Sequence, residues 1–315
     1  MSSLHIVVYH YVRDLPRTPF PRIRGMLLED FENQVAALAG SFEMATLESA
    51  LAYLSGAYSP RRDLCLMTFD DGLREHYAEV TPILAARRIQ GLFFVITSCA
   101  DGRAVAPVHM NHFLMAALDF AAYREAFLGK LHDMDPETGN PSPADAETLR
   151  RTYPWDSAEV AAFKYFFNFQ LDAAVRDRVV AALFQAYLGS PAPFSGSLYF
   201  NWEEARAMQA AGMVIGGHSH RHRPLAALSG EELNADIAAC REALDRHLAP
   251  QPQWPFCYPY GKKDSYNPAA IDALRRSGFC CSFTTETREN LPGQDLFEVS
   301  RVDCKCAPAA GMPDE

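Results

Sequence analysis

The stretch Leu64-Cys-Leu-Met-Thr-Phe-Asp-Asp-Gly72 constrains this chain more than any other. Four apolar residues followed by Thr68 and Phe69, with no polar alternation, predict a short strand covered on both faces, as in a parallel sheet flanked by helices. Asp70 and Asp71 then stand at its carboxyl end, where parallel α/β sheets carry their chemistry. Adjacent carboxylates repel unless a cation separates their roles, so one can ligate a metal while the other acts as a base. Asp-Gly is also a common turn dipeptide, and for these residues alone a plain turn is the alternative.

The rest of the chain supplies the frame for such a strand. Apolar, β-branched residues at 4–9 predict a first buried strand, and residues 91–97 predict another. Helical spacing at 28–38, 46–56 and 74–88 separates them, with Pro82 suited to a first helical turn if the segment breaks near Thr81. This is a βα rhythm with connections short enough for a parallel sheet. It stops between about residues 100 and 196, where helical patterns at 112–131, 144–153, 156–170 and 173–188 are separated by Pro136, Pro141, Pro143 and Pro154.

That segment reads as a helical insertion in a βα loop. Its aromatic stripe, Phe163, Tyr165, Phe166, Phe167 and Phe169, suits a packing face, and His109 and His112 read as structural histidines. Alternation then resumes, with Asn201 and Glu204, and later Ser229 and Glu232, as capping boxes opening helices that run to Met208 and His247. Strands are expected at 213–217, 254–258, 278–284 and last at 297–301, with a helix at 268–277. The chain therefore divides into one discontinuous α/β domain, 1–99 and 197–306, a helical insertion, 100–196, and a flexible tail, 307–315.

Composition excludes several classes. The net charge of -10 argues against nucleic acid or an anionic membrane surface as partner, and the 49% apolar content is ample for a core over 315 residues. No apolar run reaches the roughly 18 residues of a spanning helix. The first ten residues lack a basic flank and contain His5 and His10, so they do not read as a signal peptide, and a cytoplasmic location is the expectation. Cysteines at 65, 99, 240, 257, 280, 281, 304 and 306 are scattered as reduced thiols would be; Cys304-Lys-Cys306 lacks partners at metal-site spacing.

Two further stretches carry chemistry. In Gly216-Gly-His-Ser-His-Arg-His-Arg-Pro224, three histidines alternate directly after a buried strand. If the loop coils, His218 and His222 converge and His220 points elsewhere; if it stays extended, all three share a face. Neutral imidazoles plus one carboxylate make a three-ligand site with open positions, suited to zinc or another divalent transition metal. Tyr258-Pro-Tyr-Gly261, again after a strand, is either a simple turn or an aromatic wall with backbone amides for a developing oxyanion.

In combination and order, these stretches resemble the polysaccharide deacetylase family, carbohydrate esterase family 4, also called the nodulation-protein deacetylase homology domain. Thr68-Phe-Asp-Asp-Gly72 matches its first motif, His218-Ser219-x-x-His222 its second, and Tyr258-Pro-Tyr-Gly261 a variant of its third. The resemblance implies an α/β fold, an incomplete, distorted (β/α)7-type barrel, and metal-dependent removal of acetyl from N-acetylated or O-acetylated sugars. It further implies Asp71, His218 and His222 as metal ligands, Asp70 as general base, and no ligand role for His220. Zinc is the expected ion, with cobalt, nickel or iron as alternatives. Tyr260, Pro259 and Gly261 would stand on the substrate or oxyanion side.

The chain also departs from the family. Cys257 stands where many members carry a base-orienting arginine, and Arg301 is the candidate replacement. No histidine follows His247, so the usual carboxyl-terminal general acid is missing. A subgroup acting on poly-N-acetylglucosamine resembles this chain in having Tyr-His after the first strand, here Tyr9-His10, which implies His10 as general acid. An acetylated sugar or glycan precursor is then the expected partner, with the oligomeric state open. A metal-dependent amidase acting on another non-peptide C–N bond, and an inactive relative serving as a binding protein, are the competing readings.

Overall fold

Runs too apolar to alternate become strands buried on both faces. In the computed structural model, which describes residues 2–137 and 144–307, β1 (Leu4–Tyr9) leads to α1 (Leu28–Ser41), β2 (Glu43–Met44), α2 (Leu47–Leu54) and β3 (Leu64–Phe69). A π-turn at His76–Val80 then runs into α3 (Thr81–Ala86), with Pro82 in its first turn. After β4 (Gly91–Val95) come, among the described residues, six helices: α4 (Pro107–Ala117), α5 (Phe120–Met134), α6 (Ala146–Thr152), α7 (Ala158–Tyr165), α8 (Ala173–Leu188) and α9 (Pro191–Leu198). The chain continues through α10 (Trp202–Ala210), β5 (Val214–Gly217), α11 (Gly230–His247), β6 (Pro255–Cys257), α12 (Pro268–Arg276), β7 (Cys281–Phe283) and β8 (Val302–Asp303). Pro141, Pro143 and the tail from 308 lie outside the described residues.

The strands pair in the order β7-β6-β5-β4-β3-β1-β8, all in parallel, with β2 as a further partner of β3. One segment touches both edges of this sheet: Val299 bridges Phe283 of β7, and Val302 pairs with Val7 of β1. The sheet therefore curls into an incomplete (β/α) barrel, as the family resemblance implies. Register aligns the carboxyl ends: Tyr9 pairs with Phe69, Phe69 with Phe93, and Val95 with Gly217. The residues that follow β1, β3 and β5, namely His10, Asp70 and His218, are thereby brought to the same end.

Alternate residues of the strands feed two apolar clusters. Tyr9, Met67, Phe69, Phe93 and Ile215 pack with the α1 residues Phe31, Val35 and Leu38, whereas Ile6, Leu66, Phe94, Cys257 and Phe283 pack together on the other face. Burial of both faces is the reason the strands show no polar alternation.

The chain forms two compact units, 1–14 with 24–103 and 195–315, and 15–23 with 104–194. The first contains the whole sheet. The second is helical, and within it Tyr123, Phe127, Phe163 and Phe167 form a chain of tilted and edge-to-face rings. His109 is buried there in α4, as expected of a structural histidine.

Two element boundaries differ from expectation. The pattern at 112–131 belongs to two helices, because the Asp119 carboxylate accepts the Ala121 and Ala122 N–H groups and caps a new start. The last strand lies at Val302–Asp303 and not at 297–301, since Val299 makes only a single bridge before the chain shifts its pairing to β1. Among the described residues, no helix is long and apolar enough to cross a membrane.

Candidate active site

At the end of β3, Asp71 (φ 78) and Gly72 (φ 68) are both left-handed. The chain turns so tightly that a Cβ on Gly72 would stand 3.0 Å from Val95 Cγ2, and this position needs glycine on both counts. The turn gives the two neighbouring carboxylates different company. Asp71 Oδ1 lies 3.5 Å from His218 Nε2 and 3.4 Å from His222 Nε2, whereas Asp70 is paired with Arg301. All five are buried, His222 being the most exposed of the cluster at 8%.

The loop after β5 coils, so the first of the two sequence alternatives holds. The rings of His218 and His222 stand 4.8 Å apart, while His220 turns away and pairs its Nδ1 with Thr97 Oγ1 at 2.9 Å. His218 Nδ1 donates to the Cys257 carbonyl oxygen at 2.8 Å. A carbonyl can only accept, so in the neutral ring the proton sits on Nδ1 and the lone pair on Nε2, facing Asp71. Burial works against a charge on His218, but Cys257, Asp71 and Asp70 outweigh it and hold the imidazole well above the ordinary histidine range. The cluster is short of positive charge.

These donors fit a divalent cation. One carboxylate oxygen and two imidazole nitrogens, from Asp71, His218 and His222, lie within 4.8 Å of one another, and a backbone acceptor fixes the tautomer of one ring. Asp70, His218 and Cys257 also come together, but the Arg301 guanidinium already fills the place of a cation between Asp70 and Cys257.

Arg301 spends all five of its N–H donors in this network. Nη1 donates to Asp70 Oδ1 at 2.8 Å and Thr68 Oγ1 at 3.1 Å; Nη2 donates to Asp70 Oδ2 at 2.7 Å and Cys257 Sγ at 2.9 Å; Nε donates to the Thr284 carbonyl at 2.9 Å. Burial alone would raise the pKa of Asp70, but the guanidinium beside it prevails and holds the carboxyl at about 2. Burial pushes the Cys257 thiol up. His10 Nε2 lies 3.8 Å from Asp70 Oδ2, with the side chain 45% exposed, and its backbone carbonyl accepts from His76 Nε2 at 2.8 Å.

The turn after β6 closes the site on another side. Tyr260 (φ 64) and Gly261 (φ 65) are left-handed, and Pro259 is buried. The Tyr260 ring lies 5.1 Å from that of His222. A Cβ on Gly261 would meet the Thr285 nitrogen at 2.7 Å. Sequence reasoning missed His76 and Asp236, both buried groups that hold the site's backbone. The only sequence signal for Asp236 was a carboxylate on the apolar stripe of a helix.

The family described as polysaccharide deacetylase matches residues 57–117 and 171–281, more than half of the chain. The chain belongs to the polysaccharide deacetylase family. The matched residues include Asp70, Asp71, His218, His222 and Tyr260; His10 and Arg301 lie outside them. Solved structures agree on the fold of this deacetylase family member. The Streptococcus pyogenes deacetylase PplD, in complex with acetate, is 13% identical, with 96% of this chain and 92% of that chain covered and a TM-score of 0.59. IcaB from Ammonifex degensii is 22% identical over 96% and 93% of the two chains, with a TM-score of 0.57. The deacetylase domain of BpsB from Bordetella bronchiseptica is 17% identical over 96% and 95%, with a TM-score of 0.55. No curated protein matches the sequence.

Proposed function

We propose that this chain is a metal-dependent hydrolase that removes acetyl groups from an N-acetylated or O-acetylated sugar or glycan precursor. The observation that carries the reading is the convergence of both Nε2 atoms on Asp71 Oδ1, beside a second carboxylate already neutralised by Arg301. Asp71, His218 and His222 would hold the cation, with zinc the best match to one carboxylate and two imidazoles, and cobalt, nickel or iron also compatible. The cation supplies a Lewis acid that acidifies water and polarises an acyl carbonyl.

Asp70 is the general base. Held at about 2, its carboxyl is ionised at any physiological pH, but it is a weak proton acceptor on its own, which is why the reading needs the Lewis acid beside it. Arg301 keeps the carboxylate in place through both oxygens and so orients the lone pair that takes the proton from water. Water adds to the acyl carbon, the C–N or C–O bond breaks, and acetate leaves. His10, next to Asp70 and with its side chain partly exposed, returns a proton to the departing nitrogen or oxygen. The Tyr260 ring and the Pro259–Gly261 turn bound the acyl side beside His222. PplD, a family relative in fold, binds acetate, the acyl product of such a reaction. The eight cysteines, none of them in a disulfide, suit a reducing, cytoplasmic compartment, where the substrate would be a glycan precursor.

Acetate release from a panel of N-acetylated and O-acetylated sugars tests the substrate class, and no release from any of them removes it. In Asp70→Asn the cation should stay bound while turnover falls by about 10²–10⁴-fold. Undiminished turnover in that variant ends the assignment of the base.

A further inference from the structure

The loop that carries the two imidazoles adopts a conformation that its own residues disfavour. Ser219 (φ 60) and His222 (φ 54) are both left-handed without being glycine, and neighbouring structure must hold them there. The bend brings the consecutive N–H groups of His220 and Arg221 onto one carboxylate. His220 N donates to Asp236 Oδ1 at 2.8 Å and Arg221 N to Asp236 Oδ2 at 3.1 Å. Asp236 is 7% exposed and sits among Leu233, Ile237 and Cys240 on the buried face of α11. A carboxylate in that position loses its hydration, and the two bonds to the loop counter part of the loss, burial still holding its pKa above the ordinary carboxylate value. Other ties reach the same loop, namely His222 N to Ser219 Oγ at 2.8 Å, the Thr97 and Ser98 N–H groups to the Ser219 and His220 carbonyls at 3.2 and 3.1 Å, His220 Nδ1 with Thr97 Oγ1 at 2.9 Å and His218 Nδ1 to the Cys257 carbonyl at 2.8 Å, but none of these takes up the His220 and Arg221 N–H groups between the two imidazoles.

We infer that Asp236 is a positioning residue of the cation site, clamping the 218–222 loop so that the Nε2 atoms of His218 and His222 converge on Asp71 Oδ1. The inference rests on the proposed role of those three residues as ligands. Asp236 itself stays out of reach of the ion and of substrate and acts only through the backbone between the two imidazoles. Backbone partners of this kind set ligand affinity by limiting how far the imidazoles stray from a common point, and losing one typically costs 10–100-fold.

The test titrates zinc into chelator-stripped protein against a chromophoric competitor, records the visible absorption of the cobalt-loaded protein, and measures the unfolding midpoint of the metal-free protein. Asp236→Ala should bind zinc about 10–100-fold more weakly than the wild type, with an altered cobalt band. Asp236→Asn, which keeps one acceptor oxygen but turns an amide N–H towards a backbone N–H, should fall between them. If Asp236→Ala does not fold, the asparagine variant decides alone. A role confined to anchoring α11 would lower the metal-free midpoint but leave zinc affinity and the cobalt band as in the wild type, and that result overturns the inference. His222→Ala separates the two levels. Should the wild type take up no stoichiometric zinc, or His222→Ala bind it equally well, the ligand assignment has failed and the role of Asp236 falls with it.

Discussion

Arg301 meets Asp70 end on, Nη1 to Oδ1 at 2.8 Å and Nη2 to Oδ2 at 2.7 Å, in a buried pair. The two residues are far apart in the sequence, and the segment carrying Arg301 runs between β7 and β1, where the curled sheet closes on itself. Barrel closure and orientation of the proposed base are therefore one structural event. Cys257, at the end of β6, is small enough to leave the guanidinium its place and polar enough to accept from it.

Removing one member of a buried ion pair leaves the other charged and unsolvated, at a cost of about 3–5 kcal/mol. Arg301→Ala is expected to lose stability on that scale, and acetate release should fall by about a hundredfold or more because the carboxylate loses both its orientation and its compensating charge. Arg301→Lys keeps the charge but cannot form the parallel pair of bonds, so it should lie between the two. Urea denaturation and steady-state kinetics on the three proteins check this. Wild-type turnover in Arg301→Ala would show that Asp70 needs no such partner.

A second prediction concerns the approach to the imidazole loop. Gly216 lies in β5 with its Cα hydrogen facing β6, and a Cβ there would stand 2.5 Å from the Pro255 carbonyl oxygen and 2.8 Å from the Phe94 ring. The backbone oxygen cannot move without breaking the sheet, so Gly216→Ala should destabilise the protein by about 1–3 kcal/mol through overpacking alone. A shift in the urea midpoint with an unchanged slope is the expected signature, and an unshifted midpoint would mean that β5 and β6 are free to separate.

How much of this was readable in the sequence follows from what each residue depends on. Asp70, Asp71, His218 and His222 were legible because each follows a strand whose apolar run marks it, and the ends of parallel strands share one face of the fold. Arg301 could be suggested but not placed: the strand expected at 297–301 is displaced to Val302–Asp303, because a segment that bridges two sheet edges in turn carries no two-residue periodicity to read. Asp119 caps α5, but the helical spacing on either side of it runs on without interruption and hides the break between α4 and α5. Asp236 and His76 bond backbone atoms distant in the sequence, and no local pattern names a partner of that kind.

His76 makes the pH dependence of stability a test of the same architecture. Its ring is fully buried, Nε2 donates to the carbonyl of His10, and burial, opposed only in part by that bond and by Asp71, lowers its pKa to about 4. An unfolded histidine titrates near 6.5, so between pH 6.5 and 4 the unfolded chain binds a proton that the folded chain refuses, and acidification favours unfolding. The loss begins as pH falls through 6.5, is complete below about 4, and amounts to about 3 kcal/mol for a shift of this size. In His76→Gln the titrating group is gone, while an amide N–H can still reach the His10 carbonyl. Unfolding free energies of the two proteins, measured at steps from pH 7.5 to 4, should therefore diverge, the wild type losing about 3 kcal/mol more than the variant. Parallel curves would show that His76 takes up its proton in the folded state without penalty, and hence that water reaches the floor beneath His10.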